Sequence, residues 1–254
     1  MLLEGKKGLV LNVTNRNSIG WAIAQAAADH GAEVGVGAQN ERMLESVQKL
    51  IGDDPRFKPF VVDFGFEDQL ENLAQEVAVA YGKVDFVVHS AAFANREDLQ
   101  GRFIDTSRSG FATALEVSCF SLVALCKTME PLMNDDGSVI ALSYLGSTRA
   151  VGNYNVMGVA KAALESSVRY LAQDLGARGI RVNTLSPGPI NTVAARGVKD
   201  LGKMIEYVHD KAPLKREFAQ AEVGQNAVYL LSDLSKGVSG QIVFVDNGYN
   251  IVGM

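Results

Sequence analysis

The chain has 254 residues, of which 47% are hydrophobic and 21% are charged, which is enough for one α/β domain around a buried sheet. A net charge of −5 argues against a nucleic-acid-binding surface. No run reaches the ~18 consecutive apolar residues of a membrane span, and no leader segment is expected at the N-terminus. Cys119 and Cys126 are predicted to be reduced core thiols, the three His residues form no ligand cluster, and no metal site is expected. These features favour a cytoplasmic protein.

Short apolar runs alternate with helical patterns through the first ninety residues. Strands are predicted at 8–13, 32–37, 60–63 and 84–92, and helices at 21–28, from Met43 through Leu50, and at 67–81. Later in the chain, helices are predicted at 109–133, from Tyr154 onwards and at 222–231, with strands at 138–142, 180–186 and 241–246. This alternation indicates crossover connections and a parallel sheet.

The polar segment 14–20 joins the first strand to the first helix, as in the opening of a dinucleotide-binding unit. Amides at such a helix start hold a pyrophosphate. Only Gly20 remains of the usual glycine pattern, and Asn12 stands where a first Gly is expected. Asn tolerates positive φ better than most residues, so the turn is still allowed. This segment alone leaves cofactor binding open.

Candidate ligand-binding residues follow the next strands. Gln39 stands near the position where an acidic residue often binds the ribose of NAD, and Asp63 ends the third predicted strand. Ser90 and Ala91 are small, which would let a nicotinamide ribose approach the backbone. Close packing of a helix on the strand would require the same small residues, so both interpretations stand.

The residues 144–161 contain the strongest candidates for chemistry. Tyr144 follows a buried strand, and Tyr154 and Lys161 lie seven residues apart at the start of a long helix. Two helical turns place Tyr154 and Lys161 on one face, about 10 Å apart along the axis, with room for a ribose between them. A nearby cation would favour the phenolate of Tyr154. The alternative is a surface Lys with two ordinary packing tyrosines.

The segment after the sixth strand is predicted to be a shaped loop and then a flap. Pro187 and Pro189 prevent 187–192 from continuing a strand or a helix. Residues 194–211 are less apolar and contain Gly197 and Gly202, so we expect a mobile flap over the site. No linker is visible, and one domain is predicted over residues 1–254.

Together these motifs resemble the short-chain dehydrogenase/reductase superfamily and, within it, the bacterial enoyl-acyl carrier protein reductases of type II fatty acid synthesis. The most specific matches are 142–146, 154–158 with Lys161, 168–170, 188–190, Val223-Gly224 and Ser239-Gly240. Most members of the superfamily place the catalytic Tyr four residues before the Lys, where this chain has Met157, and a Ser seventeen before it, where this chain has Tyr144. The enoyl reductases resemble this chain in placing six residues between Tyr and Lys.

The resemblance implies a single-domain Rossmann fold, α/β in class, with a doubly wound parallel sheet of about seven strands and helices on both faces. It implies that Tyr154 binds the thioester carbonyl oxygen, that Lys161 binds the nicotinamide ribose, and that Tyr144 and Ala94 line the substrate pocket. The cofactor-binding residues it implies are Ser18 and Ile19 at the pyrophosphate, Gln39, Asp63 and Phe64 at the adenosine, Ala91 at the nicotinamide half, and Ile190, Thr192, Val193 and Ala194 over the nicotinamide amide and phosphates. Three departures from the family pattern are Asn12, Ala38 and Pro187.

The resemblance also implies NADH as cofactor, acyl carrier protein as partner and a homotetramer. Neutral residues at Ala38, Gln39 and Asn40 favour NADH over NADPH, because a 2′-phosphate is best held by a close cation. Arg42 could supply that cation or could pair with Glu41 or Glu45. Two other functions remain open at this level: a carbonyl reductase of the same superfamily and a non-catalytic dinucleotide-binding protein.

Overall fold

The structure is a computed structural model that describes residues 1–192 and 194–253. One sheet of seven parallel strands has the order β3-β2-β1-β4-β5-β6-β7. The strands are β1 (Lys7–Leu11), β2 (Glu33–Ala38), β3 (Phe57–Val61), β4 (Val84–His89), β5 (Met133–Leu142), β6 (Arg181–Pro187) and β7 (Ile242–Val245). The predicted parallel sheet of seven strands is confirmed.

Nine α-helices are found in the described part of the chain, together with short 3-10 turns and one π-helical turn. The helices are α1 (Ile19–Asp29), α2 (Glu41–Ile51), α3 (Glu67–Tyr81), α4 (Arg96–Leu99), α5 (Arg108–Leu115), α6 (Ser121–Met129), α7 (Asn155–Leu175), α8 (Leu201–Lys211) and α9 (Gln220–Leu231). The π-helical turn Glu116–Phe120 joins α5 to α6, so the helix predicted at 109–133 is interrupted and ends at Met129.

The sheet separates two hydrophobic cores, as the period of two along a strand requires. In β1, Val10 belongs to the core beneath α1, α2 and α9, whereas Leu9 and Leu11 belong to the opposite core beneath α3, α6 and α7. Ile140 of β5 likewise faces the first core, and its neighbours in the strand face the second. The predicted placement of helices on both faces is therefore confirmed.

Three strands, β3, β4 and β5, differ from their predicted bounds by three or more residues at one end, and the other strands differ by one or two. β3 runs from Phe57 to Val61 instead of over 60–63, because an edge strand tolerates the missing N–H of Pro59. β4 ends at His89, three residues before the predicted end. β5 begins at Met133 and pairs irregularly with β4 before Ser138.

The apolar stretch Arg108–Leu132 is the one candidate among the described helices that is long and apolar enough to cross a membrane, on length and composition alone. A core helix of a soluble protein passes the same test. Here Leu122, Leu125 and Met129 are fully buried in the core beneath the sheet, which accounts for part of the apolar composition. Cys119 and Cys126 are buried and free, as predicted.

Candidate active site

The predicted site residues converge at the carboxyl edge of the sheet. Because all strands are parallel, the segments that follow β1, β4, β5 and β6 meet at this edge. Asn12 follows β1, Ser90 follows β4, and Tyr144 lies just beyond β5. The strand order reverses between β1 and β4, the position at which open α/β sheets bind ligands.

The turn after β1 has the conformation that a dinucleotide-binding unit needs. Asn12 has φ 64°, the left-handed conformation that Asn allows, and its Nδ2 donates to the Ser90 carbonyl oxygen at 3.3 Å. Ser18 caps α1 by accepting from the Trp21 backbone N–H at 3.1 Å. A Cβ on Gly20 would lie 2.9 Å from the Ser90 hydroxyl, so a larger residue there would have to displace the Ser90 side chain. The segment therefore suits a pyrophosphate at the α1 N-terminus.

Gln39 and Asp63 lie together at the ends of β2 and β3. The Gln39 amide donates to Asp63 Oδ2 at 3.0 Å, and the other carboxylate oxygen accepts from the Gly65 backbone. Arg42 is exposed, and the ion pairs among the described residues include none between it and Glu41 or Glu45. Polar acceptors without a fixed cation suit ribose hydroxyls better than a phosphate.

Two more predicted cofactor residues, Phe64 and Ala91, lie near this edge of the sheet, as does Ala38, which departs from the family pattern. The Phe64 ring packs 5.1 Å from the His89 ring, centroid to centroid. Ala91 is 3% exposed, just beyond β4. Ala38 is fully buried in the core, so its side chain does not reach the surface at Gln39 and Asp63.

Tyr144 and Tyr154 form an aromatic pair. Their ring centroids are 4.8 Å apart with an edge-to-face angle of 63°. Tyr154 immediately precedes α7, and the Tyr144 hydroxyl donates to Met204 Sδ at 3.1 Å. The Tyr154 hydroxyl bonds to none of the described residues. This hydroxyl is therefore available to a ligand.

Close backbone packing fixes the Tyr154 ring. A Cβ on Gly146 would lie 2.5 Å from the ring, and a Cβ on Gly158 would lie 2.7 Å from the Gly146 carbonyl oxygen. The turn after Tyr144 and the first turns of α7 are thus in direct contact, and a side chain at either glycine would separate them.

Lys161 lies on α7 with only 4% of its surface exposed. Its Nζ donates to the Leu142 carbonyl oxygen at 2.7 Å, which leaves two further N–H donors. Burial lowers the pKa of Lys161 to about 8, against the opposing influence of Cys119 and Glu165. The side chain therefore remains mostly cationic at neutral pH and suits two ribose hydroxyls.

The prediction that Lys161 would favour the phenolate of Tyr154 is wrong for this structure. Burial raises the pKa of Tyr154 above its ordinary value, and Tyr144 and Glu165 raise it further. Lys161 donates a hydrogen bond to the Leu142 carbonyl oxygen, and its charge does not offset the desolvation of the Tyr154 phenol. Burial also raises the pKa of Tyr144 to about 12. Both phenols are therefore protonated hydrogen-bond donors.

A cleft of about 390 Å³ lies beside the tyrosine pair. Six predicted site residues line it: Ile19, Ala94, Tyr144, Tyr154, Ile190 and Thr192. Met157, Leu201 and Met204 complete its apolar wall. Lys161, Gln39 and Asp63 are not among the described residues that line this cleft. Val193 lies outside the described residues, and Ala194 begins the 3-10 turn Ala194–Gly197.

The predicted flap, 194–211, contains regular structure. It consists of the 3-10 turn and α8, and α8 contributes Leu201 and Met204 to the cleft. Its mobility stays a prediction. A second pocket of about 710 Å³ opens on the other side of Tyr144 and is bordered by Arg149, Lys199 and Lys203.

Sequence reasoning missed two elements of the site. Met204 contacts the Tyr144 hydroxyl from α8, and no local pattern pointed to it. Glu165 is buried on α7 and accepts hydrogen bonds from Ser143 and Ser147, the residues on either side of the Tyr144 turn. The sequence feature that could have pointed to Glu165 is its position one helical turn after Lys161.

A sheet of this order, with a helix start at its switch point and a Tyr-Lys pair at its carboxyl edge, defines a dinucleotide-binding fold of the short-chain dehydrogenase/reductase class. The family model for enoyl-(acyl carrier protein) reductase matches residues 13–250.

Individual relatives agree over the whole chain. An enoyl-[acyl-carrier-protein] reductase [NADH] of Rickettsia typhi is 46% identical over 99% of this chain and 97% of its own length. The corresponding protein of a Nostoc species is 47% identical over 99% of both chains. The Bacillus cereus enoyl-acyl carrier protein reductase, solved with NADP+ and indole naphthyridinone, superposes with a TM-score of 0.97 at 43% identity, covering 100% of this chain and 99% of its own. The Anaplasma phagocytophilum enzyme, solved in complex with NAD, superposes with a TM-score of 0.95 at 42% identity. The match covers 100% of this chain and 97% of that one.

The chain therefore belongs to the enoyl-acyl carrier protein reductase family, and the predicted family is confirmed.

Proposed function

We propose that this chain reduces the trans-2 double bond of enoyl thioesters during fatty acid elongation, with NADH as hydride donor. It is an oxidoreductase acting on a CH–CH bond, in keeping with its family and with relatives named as NADH enzymes. The observation that carries the proposal is the Tyr154 hydroxyl at the cleft, which bonds to none of the described residues and lies two helical turns before the buried ammonium of Lys161.

Residues along the sheet edge would hold the cofactor. The capped start of α1, with Ser18 and Ile19, would meet the pyrophosphate. Gln39 and Asp63 would meet the adenosine ribose, and Lys161 would meet the nicotinamide ribose. Bound there, NADH supplies a hydride, whereas the protein supplies position and electrostatics.

Tyr154 acts where charge develops. An α,β-unsaturated thioester is electrophilic at its β carbon, so reduction builds negative charge on the thioester oxygen. A protonated phenol donates a hydrogen bond to that oxygen, a contact worth roughly 2.7–4 kcal/mol in oxyanion sites. The raised pKa of Tyr154 keeps the proton on the phenol until the oxygen has become basic.

The shape of the site suits an acyl thioester on a carrier protein. Ala94, Met157 and Met204 give the cleft an apolar wall for the acyl chain. Arg149 and Lys199 border the larger pocket beside Tyr144, and such cations suit a partner that carries negative charge.

Oxidation of NADH with crotonyl-CoA and with acetoacetyl-CoA tests the reaction. We expect turnover with crotonyl-CoA and none above background with acetoacetyl-CoA. Turnover with acetoacetyl-CoA alone would instead identify a carbonyl reductase. NADH binding without turnover of either thioester would identify a non-catalytic dinucleotide-binding protein.

Two further properties belong to the same proposal: a homotetramer and a cytoplasmic location. Phe111, Phe120 and Tyr170 are exposed on the helices that follow β4 and β5, which supports burial against other copies. The two free buried thiols support a reducing compartment. Light scattering coupled to gel filtration should give four times the chain mass, and a monomeric mass would contradict the assembly.

A further inference from the structure

A buried carboxylate beneath the site has no part in the chemistry described above. Glu165 lies on α7, one turn beyond Lys161, and is 5% exposed. One of its oxygens, Oε1, accepts from both the Ser143 hydroxyl and the Ser147 hydroxyl, the latter at 2.7 Å. Burying a carboxylate costs folding free energy, which hydrogen bonds offset only in part. A carboxylate at this position therefore implies a role other than packing.

We propose that Glu165 is a positioning residue that fixes the Tyr144 turn against α7 and supports the charged form of Lys161. The proposal rests on the roles given above to Tyr154 and Lys161, and Glu165 itself touches neither substrate nor cofactor.

The hydrogen bonds act on the turn that carries Tyr144. Ser143 and Ser147 bracket this turn, and both bind the same carboxylate, so the turn is held to α7 at two points. Between them, Gly146 packs directly on the Tyr154 ring and against Gly158. A displacement of the turn would therefore move both phenols of the aromatic pair, whose rings are 4.8 Å apart.

The charge acts on Lys161. Besides Glu165, the titratable groups near the ammonium in the described part of the chain are Cys119 on the π-helical turn and His89 at the end of β4. Burial lowers the pKa of His89 to about 3, so its ring is neutral, and its Nε2 is paired with the Ser121 hydroxyl. The Cys119 thiol contacts Ser167 at 3.5 Å. Glu165 lies one helical turn beyond Lys161 and both side chains are buried, so a carboxylate at this position favours the ammonium form.

Two substitutions separate the two effects. Glu165→Gln keeps the size and an accepting oxygen but removes the charge, whereas Ser147→Ala removes one hydrogen bond and keeps the charge. Glu76→Gln makes the same change of charge on the exposed face of α3 and serves as the matched control.

The first measurement is the dissociation constant of NADH against pH, by fluorescence, with wild-type protein. Binding should weaken as pH rises through the Lys161 titration. Glu165→Gln should move the midpoint down by about one pH unit, because the neutral lysine forms more readily. Ser147→Ala and Glu76→Gln should leave the midpoint in place. A wild-type profile without the step, or an unshifted midpoint in folded Glu165→Gln, would overturn the charge effect.

The second measurement is single-turnover reduction of crotonyl-CoA at saturating NADH and at a pH well below the midpoint. Ser147→Ala should slow the reaction at least about fivefold with little change in NADH affinity, since one charge-assisted hydrogen bond is lost. Ser147→Thr, which restores the hydroxyl, should recover most of the rate. An unchanged rate in Ser147→Ala would overturn the effect on the turn.

The two measurements also separate this proposal from the proposed reaction. The NADH profile needs no turnover, so it tests Glu165 even if crotonyl-CoA is not reduced. Should Glu165→Gln fail to fold, as thermal denaturation would reveal, Ser147→Ala and the Ser147→Thr rescue still decide the effect on the turn. Failure of wild-type reduction with an intact pH step would count against the reaction alone.

Discussion

Replacing Tyr154 by Phe removes a single hydroxyl from the site. That hydroxyl bonds to none of the described residues, and the edge-to-face contact with Tyr144 involves only the ring. We therefore expect the free energy of unfolding to change by less than about 0.5 kcal/mol. The NADH dissociation constant should also be unchanged, because Lys161 keeps its place on α7.

The catalytic effect should be much larger than the effect on stability. A lost contact worth about 2.7–4 kcal/mol in the transition state corresponds to about a 10²–10³-fold slower reaction. Stopped-flow absorbance of NADH in a single turnover with crotonyl-CoA measures the hydride-transfer step directly. Tyr144→Phe is the matched control: it loses only the contact with Met204, and its rate should fall by less than about tenfold.

Two results would refute this reasoning about Tyr154. An unchanged single-turnover rate would remove Tyr154 from the chemistry. A slower rate accompanied by weaker NADH binding would show that the hydroxyl supports the cofactor site and not the thioester oxygen.

Three further predictions concern cofactor binding. Lys161→Ala should weaken NADH binding strongly and abolish the loss of affinity as pH rises through about 8, because in the proposed site the ammonium form binds the ribose hydroxyls. A dissociation constant within twofold of wild type would contradict this. The segment 194–211 should exchange amide hydrogen rapidly without cofactor and slowly with NADH, whereas equal protection in both states would exclude a lid that orders on binding. The ratio of kcat/KM for NADH to that for NADPH should exceed one at a single ionic strength, and if NADPH is preferred instead, loss of that preference in Arg42→Ala would identify the cation responsible.

Local patterns in the sequence predicted most of the fold. Apolar runs of strand length and helical stripes alternate because each element must bury one face, and this alternation indicated one parallel sheet with helices on both sides. The bounds of β3 were misplaced because a proline within a strand, such as Pro59, is tolerated only at the edge of a sheet. That β3 is an edge strand is known only from the tertiary structure. The left-handed turn at Asn12 was allowed from the residue type alone.

The sequence also indicated the main site residues, because Tyr154 and Lys161 lie on one helix at a fixed spacing and parallel strands bring their carboxyl ends to one edge. Only the tertiary structure decided which side chains meet across long separations in the chain. Tyr144 contacts Met204 sixty residues away, and Glu165 binds Ser143 twenty-two residues away. The protonation of Tyr154 was decided in the same way: burial depends on every element packed around the phenol, and this desolvation outweighs any nearby cation that the sequence could reveal.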